Sequence, residues 1–135
     1  MTHNEVSSAV IGAAIEVHRT LGPGLFESVY QQCMEIELRR RGARIESQRP
    51  VRIEYKGEGV EGEAFRADLL VEDAVVVELK SVEAIRPVHE KQLMTYLRLM
   101  DKRLGLLINF NEAVLRRGIR RIANGLDDEG DVPPR

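Results

Sequence analysis

Residues 67–80 read ADLLVEDAVVVELK and predict a two-stranded β-hairpin. Two apolar runs, LLV and VVV, flank a short polar stretch, which is typical of antiparallel strands joined by a tight turn. Asp68 precedes the first run, and Glu78 and Lys80 follow or end the second. Charges at these points are either ordinary strand ends in contact with water or parts of a functional site.

The register of this hairpin decides whether its aspartate and its glutamate share one face of the sheet. If Val71 lies opposite Val75, residues 72–74 form a three-residue connection and the two acids lie opposite each other, whereas a one-residue slip sends them to opposite faces. Three-residue hairpin loops need a residue in the left-handed region, and Asp73 tolerates that conformation best. We therefore expect a three-residue loop, or a bulge with the same effect on register.

Two carboxylates and a lysine in this arrangement predict a metal site. Carboxylates at close range repel each other, and one takes a raised pKa unless a cation neutralises them. Their oxygens suit Mg²⁺ and Mn²⁺, so Asp68 and Glu78 are candidate ligands. Lys80 points to the same side as Glu78, because residues two apart in a strand share a face. Its ammonium group would orient a water molecule or stabilise charge at phosphorus. By itself the pattern D-x(9)-E-x-K is weak.

Patterning on both sides of the hairpin predicts an α/β domain with a mixed β-sheet flanked by helices. Apolar spacing predicts helices over about 5–21, with Asn4 as the N-cap, and over about 25–41. A third helix is predicted from Pro87 to about Lys102. Strands are predicted in ARIES, VRIEYK, AFRADLLV, VVVELK and LGLLINF. The crossover to the last strand is right-handed, and residues 112–124 are ambiguous between a short helix and a strand-like arm.

Length and composition predict a single soluble, cytoplasmic domain. A chain of 135 residues suits one domain, and the lone Cys33 excludes internal disulfide bonds. No apolar run approaches the roughly 20 residues that span a bilayer, and no secretory signal is recognisable, so we expect no membrane association. The domain is predicted over residues 1–125, followed by an acidic, disordered tail over residues 126–135.

Two helical positions add candidate site residues. Gln92 and Tyr96 are four residues apart on the third helix, so they lie on one edge of it. The alternative interpretation is a surface glutamine above a core tyrosine. Glu27 lies at the start of the second helix, where the helix dipole favours an acid; the alternative is that its carboxylate faces a metal ion.

Basic side chains offer candidate contacts to a nucleic-acid backbone. The segment LRRGIRRI contributes Arg116, Arg117, Arg120 and Arg121. This arginine cluster is either a solvated face or a surface that binds phosphates. For His18 the alternatives are stabilisation by the dipole at its helix end and a contact to phosphate near Glu27. Composition does not separate these alternatives.

The segment GLFESVY, residues 24–30, has the form Gly-x-x-Glu-x-x-Tyr, and the chain resembles the bacterial GxxExxY family. The resemblance covers roughly residues 5–125 and continues through FRADLLV, VVVELK, KQLMTYL, LGLLINF and LRRGIRRI. That family belongs to the PD-(D/E)XK nuclease-like superfamily, so the resemblance implies a restriction-endonuclease-like core. The chain departs from the superfamily motif at Ala67, where the motif has proline.

The resemblance also implies roles for the candidate residues. Asp68 resembles the motif aspartate, Glu78 the metal-binding acid and Lys80 the motif lysine. Glu27 resembles the helical glutamate that precedes the sheet, which would be an additional metal ligand. Residues 92–96 resemble the Gln-x-x-x-Tyr of the nuclease domains of bacterial recombination helicase–nucleases, whose two polar side chains would orient the lysine or the scissile phosphate.

Taken together, these features predict a Mg²⁺- or Mn²⁺-dependent nuclease that hydrolyses nucleic acid, DNA rather than RNA. The alternative is a non-catalytic nucleic-acid-binding or protein-interaction module that retains the nuclease fold. The complete set of two acids and a lysine favours the enzyme. The small size of the domain, its near-neutral body and the lack of an obvious DNA-binding appendage favour the module, or a protein partner that supplies the substrate. Homo-oligomerisation stays open.

Overall fold

The computed structural model describes residues 1–60 and 65–126, and within them the chain forms a mixed β-sheet with helices packed on both faces. The elements in chain order are α1 (His3–Leu21), α2 (Glu27–Arg40), β1 (Ile45–Val51), β2 (Glu54–Tyr55), β3 (Glu58–Gly59), β4 (Phe65–Val71), β5 (Val75–Lys80), α3 (Pro87–Met100), β6 (Leu104–Asn109), a 3₁₀ turn (Leu115–Gly118) and β7 (Ile119–Ala123). This is the predicted fold class. The predicted acidic tail lies outside the described residues apart from its first residue.

The main sheet has the strand order β1-β4-β5-β6-β7, so β1 and β7 form its edges. All neighbours are antiparallel except β5 and β6, which are parallel and are joined by the crossover helix α3. β2 and β3 form a separate two-stranded hairpin. Parallel pairing places the carboxyl ends of β5 and β6 at the same end of the sheet, where Lys80 lies beside Asn109.

The β4–β5 hairpin has the predicted register. Val71 lies opposite Val75, and a hydrogen bond of 3.0 Å from Ala74 N to Val71 O closes the turn. Asp73 has a φ of 52°, in the left-handed region as expected, but Glu72 also has a positive φ of 53°. Glu72 is held in this conformation by Arg44, whose backbone N–H donates to Glu72 Oε2 at 2.7 Å.

The hydrophobic core is divided between the two faces of the sheet. On one face, Val77 and Leu79 pack with residues of α1 and α2. On the other face, Val76 packs with residues of α3 such as Leu93 and Tyr96. Because side chains alternate along a strand, Glu78 and Lys80 lie on the face that α3 covers.

Two local predictions are corrected, and one open alternative is resolved. The N-cap of α1 is Thr2 instead of Asn4, because Thr2 and Glu5 form a reciprocal capping box. β1 runs as one strand from Ile45 to Val51 and includes Pro50, where a break between two strands was expected; as an edge strand it tolerates a residue without an N–H. The ambiguous segment after β6 forms the 3₁₀ turn and the edge strand β7. None of the helices in the described ranges is long and apolar enough to cross a membrane.

Candidate active site

The carboxyl groups of Asp68 and Glu78 meet where β4 and β5 stop pairing through their backbones. The regular ladder between these strands reaches the pair Leu69–Val77. Beyond it, Asp68 N donates to Glu78 Oε1 at 3.2 Å, and Leu79 N donates to Asp68 Oδ2 at 2.8 Å. The carboxylates therefore accept hydrogen bonds from backbone groups that the ladder leaves free, which fixes both side chains between the strands.

Glu78 is the most perturbed acid of this pair. Its side chain is only 6% exposed, and burial raises its pKa to about 9, with a further contribution from the negative charge of Asp68. The N–H of Asp68 and the charge of Lys80 oppose this rise in part. Without a cation between the carboxyl groups, Glu78 therefore holds a proton at neutral pH. A strongly raised carboxyl pKa in an acidic pair is a common property of functional sites.

Tyr96 from α3 lies close enough to the acidic pair to sense its charge. Its pKa is raised by burial first, and then by the carboxylates of Glu78 and Asp68. Its ring lies 6.1 Å from that of Phe65, at the start of β4. Tyr96 thus belongs to the core under α3 and also borders the two acids, and its role in orienting the lysine or the scissile phosphate stays a prediction.

The ammonium group of Lys80 is available to a ligand. Lys80 is half-buried, and among residues 1–60 and 65–126 its side chain makes no hydrogen bond and no ion pair within 4.0 Å. Its position is fixed by the backbone, because Phe110 N donates to Lys80 O at 2.8 Å. Gln92, four residues before Tyr96, is also half-buried, and its amide has no partner within the same ranges.

A hydrogen bond to Glu27 connects the start of α2 to the residue that follows β5. Its Oε2 accepts a hydrogen bond of 3.1 Å from Ser81 N, and Ser81 Oγ donates to Leu25 O at 2.6 Å. Glu27 is exposed and lines, together with Asp68, a shallow surface depression. The structure thus places Glu27 at the same end of the sheet as the acidic pair.

The donor set fits a magnesium-type ion held by two carboxylates. Among the described residues, no group of three or more His, Cys, Asp and Glu side chains is arranged to hold a metal ion. Mg²⁺, however, keeps several waters and usually takes one or two carboxylates together with substrate phosphates. Asp68 and Glu78 would supply these carboxylates, and a cation would relieve their repulsion. Glu27 as a third ligand stays a prediction.

Sequence reasoning missed three polar residues around the site. Asn109 is fully buried and exchanges hydrogen bonds of 3.1 and 2.9 Å with the backbone of Val82, which anchors the loop after Lys80. Gln31 and Gln48 lie next to Asp68 and bond to each other and to it. Gln31 follows Glu27 by one helical turn, a spacing that indicates a shared face, whereas no sequence signal identifies Gln48.

His18 has a structural contact away from the acidic pair. Its Nε2 donates to Glu112 O at 2.7 Å, and its ring lies 6.4 Å from the ring of Phe110. These contacts attach the end of α1 to the segment that follows β6. No contact between His18 and Glu27 is found, so a role in phosphate binding stays a prediction.

The arginine cluster lies at the same end of the sheet as the acids. Arg120 pairs with Leu107, which pairs with Glu78, so the three form one row across β7, β6 and β5. Arg121 points to the opposite face and donates to Asn4 Oδ1 of α1 at 3.1 Å. Arg116 and Arg117 are exposed in the 3₁₀ turn.

A mixed sheet whose central strand ends in an acid and a lysine, next to an aspartate of the neighbouring strand, is the arrangement expected of a PD-(D/E)XK-type nuclease. Residues 4–122 match the family model described as the PD-(D/E)XK nuclease superfamily. The chain belongs to this superfamily, whose members are typically nucleases that use divalent metal ions. Comparisons with curated proteins and with solved structures give no match.

Proposed function

We propose that this protein is a divalent-metal-dependent phosphodiesterase that hydrolyses nucleic acid, with DNA as the preferred substrate. The observation that carries the proposal is the carboxyl pair of Asp68 and the buried Glu78, together with the ammonium group of Lys80, which has no hydrogen bond or ion pair among residues 1–60 and 65–126. A fold has no structural need for two buried carboxyl groups in contact, because without a cation one of them must give up its charge and take up a proton. A site that receives a cation and a phosphate explains why both acids and the lysine are present.

Each residue has a chemical role in the proposed reaction. A bound Mg²⁺ or Mn²⁺ would supply Lewis acidity and lower the pKa of a water molecule. Asp68 and Glu78 would hold the ion, and Lys80 would donate a hydrogen bond to the attacking water or to a non-bridging phosphate oxygen. Water adds to phosphorus, the bond to the leaving sugar oxygen breaks, and that oxygen takes up a proton. The products are a phosphate monoester and a hydroxyl group.

The proposed path of the nucleic acid runs over the end of the sheet between Lys80 and the 3₁₀ turn, because Leu107, which lies in the row between Glu78 and Arg120, is fully buried under α3. Neighbouring strands lie about 4.8 Å apart, so the Cα atoms of Glu78 and Arg120 are about 10 Å apart across two strand spacings. That distance suits a phosphate one or two positions from the scissile one. Arg120, with the exposed Arg116 and Arg117, would then neutralise backbone phosphates, which gives affinity without sequence preference.

Cleavage assays on purified protein test this proposal. Single- and double-stranded DNA and RNA would be incubated with Mg²⁺, Mn²⁺ or EDTA, with Glu78→Gln and Glu78→Ala as matched inactive variants. We expect metal-dependent cleavage by the wild type, fastest on DNA, and none by either variant. Metal-independent cleavage, or equal cleavage by Glu78→Ala, would refute the assignment. Binding of nucleic acid without cleavage under any metal condition would favour the non-catalytic module instead.

A further inference from the structure

We infer that Gln48 is a positioning residue that, together with Gln31, holds the carboxylate of Asp68 in the orientation required for metal binding. The inference rests on the proposed function, since it assigns a role around the same acidic pair. Neither glutamine touches the reacting atoms in this account. Both act through Asp68.

The backbone of Gln48 is distorted at the point where β1 passes Asp68. Gln48 has a φ of 53°, a left-handed conformation in the middle of a strand. The pairs Ser47–Leu69 and Arg49–Ala67 are both formed, but the bridge between Gln48 and Asp68 that would lie between them is missing. A left-handed conformation is unfavourable for a glutamine, so tertiary contacts of this residue must maintain it.

This distortion reverses the alternation of side chains along β1. Ile45 packs against the core on the α1–α2 face, whereas Val51 packs against the core on the α3 face. In a regular strand, two residues separated by an even number of positions share a face. The same reversal occurs in β4, where Leu69 belongs to the first core and Ala67 to the second. Asp68 is therefore located at the point where both strands change phase.

The side chain of Gln48 uses this geometry to contact the acid. Its Nε2 donates to Asp68 Oδ1 at 3.3 Å and to Gln31 Oε1 at 2.8 Å. Gln31 Nε2 in turn donates to the backbone oxygen of Asp68 at 2.8 Å. Leu79 N donates to the other carboxylate oxygen, Oδ2, at 2.8 Å. Both carboxylate oxygens are thus oriented by a donor, and each keeps a lone pair for a cation.

The left-handed backbone of Gln48 places its amide where it orients the carboxylate of Asp68. Residues that orient a metal ligand typically change metal affinity 10- to 100-fold when they are replaced. A regular, unstrained residue 48 would restore the missing bridge and direct its side chain away from Asp68. The left-handed conformation therefore serves the site at the expense of local backbone stability.

The experiment measures Mn²⁺ binding without nucleic acid, as the Mn²⁺ concentration that gives half of the maximal rise in melting temperature. Gln48→Met removes the amide and keeps the backbone strain, whereas Gln48→Gly removes the amide and relieves the strain. The two variants should therefore differ in melting temperature in EDTA. In both, the half-saturating Mn²⁺ concentration should rise about 10-fold or more. At limiting Mn²⁺ both should cleave slowly, and saturating Mn²⁺ should restore turnover with an unchanged KM for nucleic acid.

Two control variants test whether weaker Mn²⁺ binding also follows from a change elsewhere on α2 or from the relief of backbone strain at another residue. Gln32→Met changes a neighbouring glutamine on α2 whose amide, within the described part of the chain, donates only to Ser28 O of the same helix, at 3.4 Å. Asp101→Gly relieves another left-handed residue, with a φ of 54°, at the C-terminal end of α3. Both controls should keep the wild-type half-saturating Mn²⁺ concentration.

The outcomes distinguish this inference from the proposed function. If the wild type cleaves and both Gln48 variants keep its half-saturating Mn²⁺ concentration, the positioning role is refuted and the nuclease assignment stands. If the wild type does not cleave but the Gln48 variants bind Mn²⁺ more weakly, the positioning role stands and the enzymatic assignment fails. A wild type whose melting temperature does not respond to Mn²⁺ would refute both.

Discussion

The two ends of the β4–β5 hairpin each carry two acidic residues, but only one end neutralises them. At the turn, Glu72 pairs with Arg44 at 3.3 Å, and Asp73 pairs with Lys102 at 3.1 Å. At the other end, Asp68 and Glu78 contact each other. The same fourteen residues thus contain acids that stabilise the fold as charged groups and a pair of acids that cannot both be charged at neutral pH without a cation.

The pKa values show the consequence of this difference. The pKa of Glu72 is lowered, chiefly by the hydrogen bond from the backbone N–H of Arg44. The pKa of Glu78 is raised to about 9, chiefly by burial and then by Asp68. Within one hairpin, the acid that forms an ion pair is structural, and the acid that forms none with a described residue is the candidate ligand. Each prediction below tests this contrast.

The largest effect is expected from removal of the lysine at the site end. Lys80→Ala should lower cleavage about 10³-fold, because a charged donor to the transition state is lost, while the melting-temperature response to Mn²⁺ is retained. Lys80→Arg should not restore cleavage, because a planar guanidinium group does not replace a compact ammonium group. Lys102→Ala, which removes the lysine at the turn, is the matched control and should cleave like the wild type. Near-normal turnover of Lys80→Ala would contradict the assigned role.

The second prediction concerns the pH dependence of stability without metal. Because the pKa of Glu78 rises from 4.5 in the unfolded chain to about 9 in the folded protein, the folded state holds the extra proton between these values. The contribution of this group is therefore complete below pH 4.5 and is lost as the pH rises through 9.

Urea unfolding in EDTA at pH 6 and pH 8.5 measures this dependence. The free energy of unfolding of the wild type should fall by up to roughly 3 kcal/mol between these two pH values, which is the change expected when the whole pKa shift of Glu78 contributes. Glu78→Gln, which is neutral at both pH values, should lose much less and should be the more stable protein at pH 8.5. Equal pH dependence of the two proteins would show that Glu78 is not protonated in the metal-free fold.

The third prediction concerns the response to metal. At a Mn²⁺ concentration 100-fold above the dissociation constant, binding should stabilise the wild type by about 2.7 kcal/mol. The double variant Asp68→Asn with Glu78→Gln should lose this response and should stay folded, because both replacements keep the side-chain size. A control pair at the turn, Glu72→Gln with Asp73→Asn, should keep it. An undiminished stabilisation by Mn²⁺ in the Asp68 and Glu78 variant would show that these two residues do not bind the metal.

The smallest effect is expected at the turn. Glu72→Gln should lower the melting temperature slightly at neutral pH, because it removes the carboxylate that Arg44 binds. The difference from the wild type should disappear as the pH falls through the lowered pKa of Glu72, since the wild type then loses the same contribution. Cleavage and Mn²⁺ binding should not change. A loss of cleavage by Glu72→Gln would contradict the assignment of a structural role to the acids at the turn and of a catalytic role to those at the other end of the hairpin.

The hairpin and the positions of its acids were predictable because they depend on residues that are close together in the sequence. The residues of LLV and VVV are all buried, on alternate faces of the sheet, and the short connection leaves few registers. The candidate ligands follow from the register, since Asp68 must lie opposite Glu78 once Val71 lies opposite Val75. The family resemblance reached the same residues through sequence motifs.

The glutamines beside Asp68 were not predictable because their role depends on contacts distant in sequence. Gln48 adopts a left-handed conformation that its intrinsic preference opposes, and its partners Gln31 and Asp68 come from other elements. The N-cap of α1 was misplaced for a simpler reason. Thr2 and Asn4 both cap helices well, and only the reciprocal bond with Glu5 decides between them.

The edges of the main sheet also carry a consequence for solubility at high protein concentration. An exposed edge strand offers free N–H and C=O groups to the edge of another molecule, which leads to aggregation. β1 contains a proline at position 50 and the left-handed Gln48, so it is a poor template for an added strand. β7 carries Arg120 and Arg121, whose charges repel a second copy of the same strand. The distortion of β1 next to Asp68 therefore also disfavours the addition of a strand from another molecule at that edge of the sheet.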